Sequence, residues 1–236
     1  MITLGLVGNP ASGKSTVAKF LQSCGATWID ADAVAKEVLQ SPALRPELVA
    51  AFGDDVVADG HIDRDRLAGI VFGDDPQSRA ALQTLQSIVH PPTRDRITAR
   101  LADLDDRRVV MTVLDVPLMF ESGWDLACDS IWCVDAPRER REGWATQRGW
   151  APDQLGRREA NQLAVTEKAR LSNWYLSNDD SLDRLHARIC ARLRHWAARS
   201  GQASTAVEAH SSPAAAVTPG ASRQLDLTRL FDSTTE

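Results

Sequence analysis

The stretch Gly8-Asn9-Pro10-Ala11-Ser12-Gly13-Lys14-Ser15-Thr16 constrains this chain more than any other. It reads G-x-x-x-x-G-K-[ST], the pattern of a phosphate-binding loop. A short apolar run, Ile2-Thr3-Leu4-Gly5-Leu6-Val7, precedes it and reads as a buried strand. Val17-Ala18-Lys19-Phe20-Leu21 follows and reads as the start of a helix. That strand–loop–helix context separates a working loop from a chance Gly/Ser-rich turn. Glycines let successive N–H groups curl inward as a nest for anionic oxygens. The helix start adds its positive dipole end. Lys14 can reach the β- and γ-phosphates, and the Ser15 hydroxyl can ligate Mg²⁺.

A triphosphate site needs a domain to carry it. The 236 residues suffice for one large domain, or for a domain with a lid and a tail. A hydrophobic share of 43% and a charged share of 25% are ordinary for a globular protein. A net charge of −5 implies no broad basic surface, so nucleic acid is not expected as a partner. Nor is a membrane, because no apolar run approaches the ~20 residues of a span. The first strand candidate begins at Ile2, which leaves no room for a secretory signal. Cys24, Cys128, Cys133 and Cys190 form no C-x-x-C pair. They read as small buried hydrophobes in a reducing compartment, which points to the cytoplasm.

Strand candidates fall at residues 2–7, 27–29, 109–114, 131–134 and, more weakly, 174–176. Helical patterns lie between them, the longest from about Pro76 to Leu104. Such alternation predicts parallel βαβ units and an open α/β sheet. Leu182, Leu185, Ile189, Leu193 and Trp196 recur at helical spacing and predict a core-facing helix. Composition changes at about Ser200. From there to Gly220 the chain is mostly Ala, Ser, Thr, Pro and Gly, and residues 200–236 are expected to form a disordered tail. The more apolar Gln224–Phe231 piece within it could dock on the domain, bind a partner or end as a loose terminus.

Two carboxylate segments narrow the chemistry. Ile29-Asp30-Ala31-Asp32 sits just past the second strand candidate, in the crevice where open α/β sheets bind ligands. Asp32 could accept the proton of a substrate hydroxyl. Equally, Asp30 or Asp32 could only cap the next helix. The run Val109–Leu114 ends in Asp115, a Walker B pattern that supports Mg²⁺ directly or through water. Residues 138–158 carry Arg138, Arg140, Arg141, Arg148, Arg157 and Arg158. Arginines closing over a triphosphate would stabilise its charge, and a mobile lid would exclude water. Glu139 and Glu142 favour a solvated face for Arg138, Arg140 and Arg141, which leaves Arg148 and Arg158 as the lid candidates. His90, before Pro91, is given no proton-transfer role.

With these pieces assembled, the chain resembles the dephospho-CoA kinases from residue 2 to about 195. The matching segments include Gly5–Gly8 through Ser12–Thr16, Ile29–Asp32 with Ala35 and Glu37, and Asp63-Arg64 with Leu67 and Val71-Phe72. They continue through Ile88–Pro91, Leu114–Glu121, Val134–Pro137, Gln147-Arg148, Arg158 with Gln162, and Glu167-Lys168. The resemblance implies a P-loop nucleotide-kinase-like α/β fold: a parallel five-stranded sheet flanked by helices, with a helical CoA-binding region and a lid. Residues 1–199 would form the kinase domain, the acceptor region covering about 60–105 and the lid about 138–162.

It further implies transfer of the ATP γ-phosphoryl group to the ribose 3′-hydroxyl of dephospho-CoA, giving CoA and ADP. Asp32, Lys14 and Arg148 would be catalytic. Ala11, Ser12, Gly13, Lys14, Ser15 and Thr16, with Arg148 and Arg158, would hold ATP, and Ser15 and Asp115 would hold Mg²⁺. Asp32, His90, Pro117, Leu118 and Glu121 would form the acceptor pocket. A monomer or weak homo-oligomer is expected.

The pattern departs from the family in places. The start Gly8-Asn9-Pro10-Ala11 stands where a Gly-Gly-Ile-Gly type start is usual; Pro10 removes an N–H, and Ala11 lacks the backbone freedom of glycine. Adenylate kinase loops tolerate such a proline. Gly149 alone follows Arg148, Trp144 replaces an arginine, and Leu176-Ser177-Asn178-Asp179-Asp180 replaces Ile-Asp-Asn-x-Gly. Two other readings remain open at this point: another small-molecule kinase of the same fold, or a non-catalytic nucleotide-binding protein.

Overall fold

The computed structural model describes residues 1–73 and 75–208, with side-chain surroundings as far as Trp196. Its elements in chain order are β1 (Ile2–Gly8), α1 (Lys14–Ser23), β2 (Thr27–Asp30), α2 (Ala31–Leu39), α3 (Arg45–Phe52), β3 (Val57–Ala58), β4 (His61–Ile62), α4 (Arg64–Val71) and α5 (Pro76–Asp106). There follow β5 (Met111–Asp115), β6 (Ser130–Asp135), α6 (Arg138–Gln147), α7 (Gln154–Ala160), α8 (Val165–Leu171), β7 (Trp174–Ser177) and α9 (Leu182–Glu208). The chain divides into two compact units, one of Met1–Ile29 with Leu104 onward, the other of Asp30–Asp103.

Five strands form one sheet in the order β2-β5-β1-β6-β7, and the small hairpin β3-β4 is separate. All five strand candidates are present. β1 is central and pairs in parallel with β5 and β6. It is buried along its whole length, which explains why it reads as a continuous apolar run instead of an alternating one. The register sets Leu6 opposite Asp115 and Gly8 opposite Val134. The carboxyl ends of β5 and β6 therefore flank the point where β1 gives way to the phosphate loop.

Leu4, Leu6, Val113, Trp132 and Leu176 from the sheet pack with Val17 and Leu21 of α1 and with Leu185, Ile189 and Leu193 of α9. Trp132 meets Trp174 edge to face, their ring centroids 4.7 Å apart. The expected apolar stripe on α9 is core-facing at Leu185, Ile189 and Leu193, and Trp196 packs against the core. Leu182 departs from it: at the first turn of α9 it is 53% exposed, too early in the helix to reach the sheet. α9 also runs to Glu208, so residues 200–208 are helical where disorder was expected. Extending a formed helix avoids the cost of nucleation, and Gln202, Ala203 and Ala206 are good helix formers. Residues 209–236, with the rest of the expected tail and the Gln224–Phe231 piece, lie outside the described residues.

In the second unit, Asp30 caps α2 and Asp63 caps α4, each carboxylate accepting from two backbone N–H groups. Gln40 bonds both backbone groups of Ile62, tying the end of α2 to the hairpin. α5 continues through Pro91 and Pro92. Each proline removes a helical N–H, so the carbonyls of Ser87 and Ile88 lose their partners, while Thr93 Oγ1 donates to the Val89 carbonyl at 2.7 Å. His90 lies at this weakened point.

All four cysteines are free, and burial pushes the Cys128 thiol up to about 12 and the Cys133 thiol to about 11. Among the described residues no helix is long and apolar enough to cross a membrane.

Because Ile189 is fully buried at the sheet face, Ile189→Ala is expected to cost roughly 2–5 kcal/mol of unfolding free energy in urea titration. Leu182→Ala, on the same helix but exposed, is expected to stay within about 0.5 kcal/mol of the parent.

Candidate active site

Most helices in this protein that carry a capping carboxylate spend it on their own first turn, as α2 and α4 do. α1 does not. Its N-cap is Gly13, no side chain caps it, and no acidic residue occupies its first turn. Thr16 and Val17 donate back to the Gly13 carbonyl. Lys14 and Ser15 stand at the start of the helix, where the N–H groups have no intrahelical acceptor. This end is thus an uncapped donor set carrying the helix dipole, suited to an anion. Ser12 adds to it: the residue is 1% exposed, and its Oγ has no hydrogen-bond partner. A buried hydroxyl without a partner is costly unless a ligand supplies one.

Two glycines shape the loop. Gly8 has φ 151, and a Cβ there would lie 2.0 Å from the Val134 carbonyl. Gly13 has φ 97, and a Cβ would lie 2.3 Å from Asn178 Nδ2. That amide is the loop's outside support. Asn178 Nδ2 donates to the Ser12 carbonyl at 3.0 Å, and Asn178 N to the Asp135 carbonyl at 2.7 Å. Arg140 and Arg188 hold the following turn through the carbonyls of Asp180 and Ser177, at 2.7 and 2.6 Å.

Ala11 also adopts the left-handed region, with φ 59. An alanine reaches this conformation at a cost of about 1–2 kcal/mol. Its buried methyl packs with Ala145 and Leu155, and Trp150 lies against them, which offsets part of that cost. The restriction read from sequence therefore becomes a packing contact between the loop and the arginine-rich segment.

The expected site residues fall as follows. Ala11, Ser12, Gly13, Lys14, Ser15 and Thr16 form the loop and the first turn of α1. Lys14 is half-buried and Ser15 exposed. Asp115 is buried at the end of β5. Pro117 and Leu118 are half-buried in the connection after it. Glu121 accepts from the Leu163 N–H at 2.8 Å, joining that connection to the residues after α7.

Arg148 is the exposed C-cap of α6, without an ion-pair partner among the described residues. Arg158 on α7 is exposed and lies over the Trp150 ring, 4.3 Å from its centroid. Asp32 and His90 belong to the second unit. Asp32 lies exposed in the first turn of α2, and the capping task falls to Asp30, whose Oδ1 accepts the Asp32 N–H at 2.9 Å. His90 is exposed on α5.

Arg141 departs from the expected solvated face. It is 6% exposed, donates to the Ala136 carbonyl at 3.0 Å and pairs with Glu159 of α7. The ion pair pins α6 to α7, and no local spacing signals it. Arg140 is half-buried over Trp144, while Arg138 is exposed as expected.

Lys168 was not among the expected site residues. It is 1% exposed, and its Nζ donates to Gln162 Oε1 at 2.6 Å and to the Gly8 carbonyl at 3.3 Å. Burial, followed by the Lys14 ammonium, lowers its pKa from the ordinary lysine value; Glu121, Cys133 and Asp135 act in the opposite sense. Its only sequence signal was membership of the Glu167-Lys168 match.

Comparison with known proteins agrees with this geometry. A family model described as dephospho-CoA kinase matches residues 2–184. The dephospho-CoA kinase of Rhodopirellula baltica is 39% identical over 191 residues, 80% of this chain and 88% of that protein. That of Symbiobacterium thermophilum is 37% identical over 224 residues, 94% of this chain and 92% of that protein. A Thermus thermophilus protein of known crystal structure superposes with a TM-score of 0.68 at 34% identity, covering 82% of this chain and 97% of its own. The Campylobacter jejuni dephospho-CoA kinase, at 21% identity and a TM-score of 0.59, shares the fold over 82% of this chain and 96% of its own.

Gly13→Ala would push Asn178 off the loop, so binding of a fluorescent ATP analogue is expected to weaken at least about tenfold, the scale of one buried hydrogen bond lost. Gly123→Ala is the control. It has φ 73 but open space around it, so it should cost about 1 kcal/mol of stability and leave nucleotide binding unchanged.

Proposed function

Since this chain belongs to the dephospho-CoA kinase family, and is therefore an ATP-dependent kinase of the final step of coenzyme A synthesis, we propose the following division of labour among its residues. The observation that carries it is the uncapped start of α1 beside the unpartnered Ser12 hydroxyl. We read this donor set as left for a phosphate chain. Residues Ala11–Thr16 hold the ATP phosphates, and Lys14 lies against the β- and γ-phosphates.

Ser15 Oγ and the Asp115 carboxylate would hold Mg²⁺. Both are oxygen donors, as a hard cation requires. Among the described residues no cluster of three or more His, Cys, Asp or Glu is arranged to hold a metal. Mg²⁺ is commonly bound by one or two side chains together with substrate oxygens. Once bound, the ion offsets negative charge on the transferred phosphoryl group.

Asp32 takes the proton of the acceptor ribose 3′-hydroxyl as the oxygen attacks the γ-phosphorus. Asp30 already caps α2, so the Asp32 carboxylate is not needed there. His90, Pro117, Leu118 and Glu121 line the acceptor pocket. Residues 138–162 act as a lid, in which Arg148 reaches the γ-phosphate and Arg158 supports the nucleotide. The exposed guanidinium of Arg148, without an ion-pair partner among the described residues, is consistent with a group held ready for a ligand. Residues 1–199 make the catalytic body, with the acceptor region at about 60–105. The chemistry consumes ATP and a small-molecule acceptor and calls for no nucleic acid or membrane partner.

Asp32→Asn is expected to lower kcat by about 10²–10⁴ while the dissociation constant for ATP stays within twofold. Near-normal turnover of that variant would remove the base assignment. The acceptor is tested by ADP production with dephospho-CoA set beside AMP, adenosine and pantetheine, with turnover expected for dephospho-CoA alone.

A further inference from the structure

Lys168 presents an energetic problem. An ammonium that is 1% exposed has lost its hydration, a loss of several kcal/mol per ion. It has two acceptors, one an amide oxygen and one a backbone carbonyl, and neither carries a charge. Lys14 repels it. A leucine or methionine at this place on α8 would pack against β1 and β6 without that cost. The position of its two partners is the other half of the observation. Gly8 is the last residue of β1 and the first of the phosphate loop. Gln162 lies just past the end of α7, where the arginine-rich segment closes. Leu163, the next residue, is fixed separately by Glu121.

We propose that Lys168 is a positioning residue that ties the carboxyl end of the 138–162 segment, through Gln162, to the opening turn of the phosphate loop, through the Gly8 carbonyl. The inference rests on the reading of these two segments as lid and triphosphate site. One ammonium thereby fixes the loop that receives the phosphates and the joint on which the arginines swing. The two lysines repel each other until a triphosphate arrives between them and the solvent. Its negative charge offsets that repulsion, so the cost of burying Lys168 reappears as affinity for ATP. Substrate binding and lid placement are then coupled through one side chain.

The test is a double-mutant cycle on the full chain with Lys168→Met, Gln162→Leu and both together. KM for ATP, kcat with dephospho-CoA and thermal melting are measured for each. Lys168→Met is expected to raise KM for ATP about tenfold or more, the scale of one lost charge-assisted hydrogen bond. It should also keep or raise Tm, because an uncompensated buried charge has gone. A purely structural lysine would lower Tm and leave KM alone.

Gln162→Leu is expected to raise KM for ATP about threefold, and the double variant should match Lys168→Met within twofold, because both changes break the same tie. A Lys168→Met protein with KM for ATP within twofold of the parent would overturn the inference, as would a double variant whose effects multiply. Should Lys168→Met fail to fold, Gln162→Leu decides alone, and an unchanged KM for ATP would overturn the proposal. Turnover by the parent protein tests the kinase reading separately, since the latch is judged only on ratios to the parent.

Discussion

A strip of backbone from Gly8 to Lys14 cannot hold its own shape. It has one internal turn bond, from Ser12 N to the Asn9 carbonyl, and its helix start is uncapped. Its form is imposed from outside by two side chains far along the chain. Asn178 grips the Ser12 carbonyl, and Lys168 the Gly8 carbonyl. Both supports stand on the sheet side, one after β7 and one on α8. The sheet therefore does more than bury apolar surface. Its parallel register sets Gly8 beside Val134 and Leu6 beside Asp115, so the donors of the loop and the carboxylate that ends β5 emerge at one edge. A donor-lined loop kept rigid without its ligand loses less entropy when the ligand binds.

The segment from α6 to α7 is built in another way. It meets the loop through a small apolar contact, Ala11 with Ala145 and Leu155, and is stiffened within by the Arg141–Glu159 ion pair. Arg148 and Arg158 stay at its surface. Within one run of arginines, Arg141 is buried in an ion pair while Arg148 and Arg158 face outward.

Much of this could be read from the sequence because it is local. The phosphate loop is contiguous, the five strands are apolar runs bounded by polar turns, and α5 carries a long helical pattern from Pro76. The alternatives at Asp30 and Asp32 could not be separated, because both stand where a cap can form; only backbone geometry assigns the cap to Asp30. Arg141 sits among Arg138, Glu139, Arg140 and Glu142, and such a run looks solvated whichever member turns inward. Lys168, between Glu167 and Ala169, gives no sign of burial, since its partners lie 6 and 160 residues away. Asn178 reads as a turn residue. The hairpin β3-β4 is only two residues per strand, too short for an alternating pattern. What the sequence hid is the set of contacts made across distance in the chain.

That distance bears on how the protein is made. β1 and its loop leave the ribosome ahead of the other strands, and β5 and β6, which flank β1, come more than a hundred residues later. The amide that props the loop lies 166 residues beyond Ser12. At about 5–20 residues per second, the nascent loop waits roughly 8–33 seconds for that support. Until β5 and β6 are made, β1 has neither neighbour, and until Asn178 is made the loop lacks its amide support. A loop that is made early therefore takes its last support late, only once β7 and the turn after it have emerged.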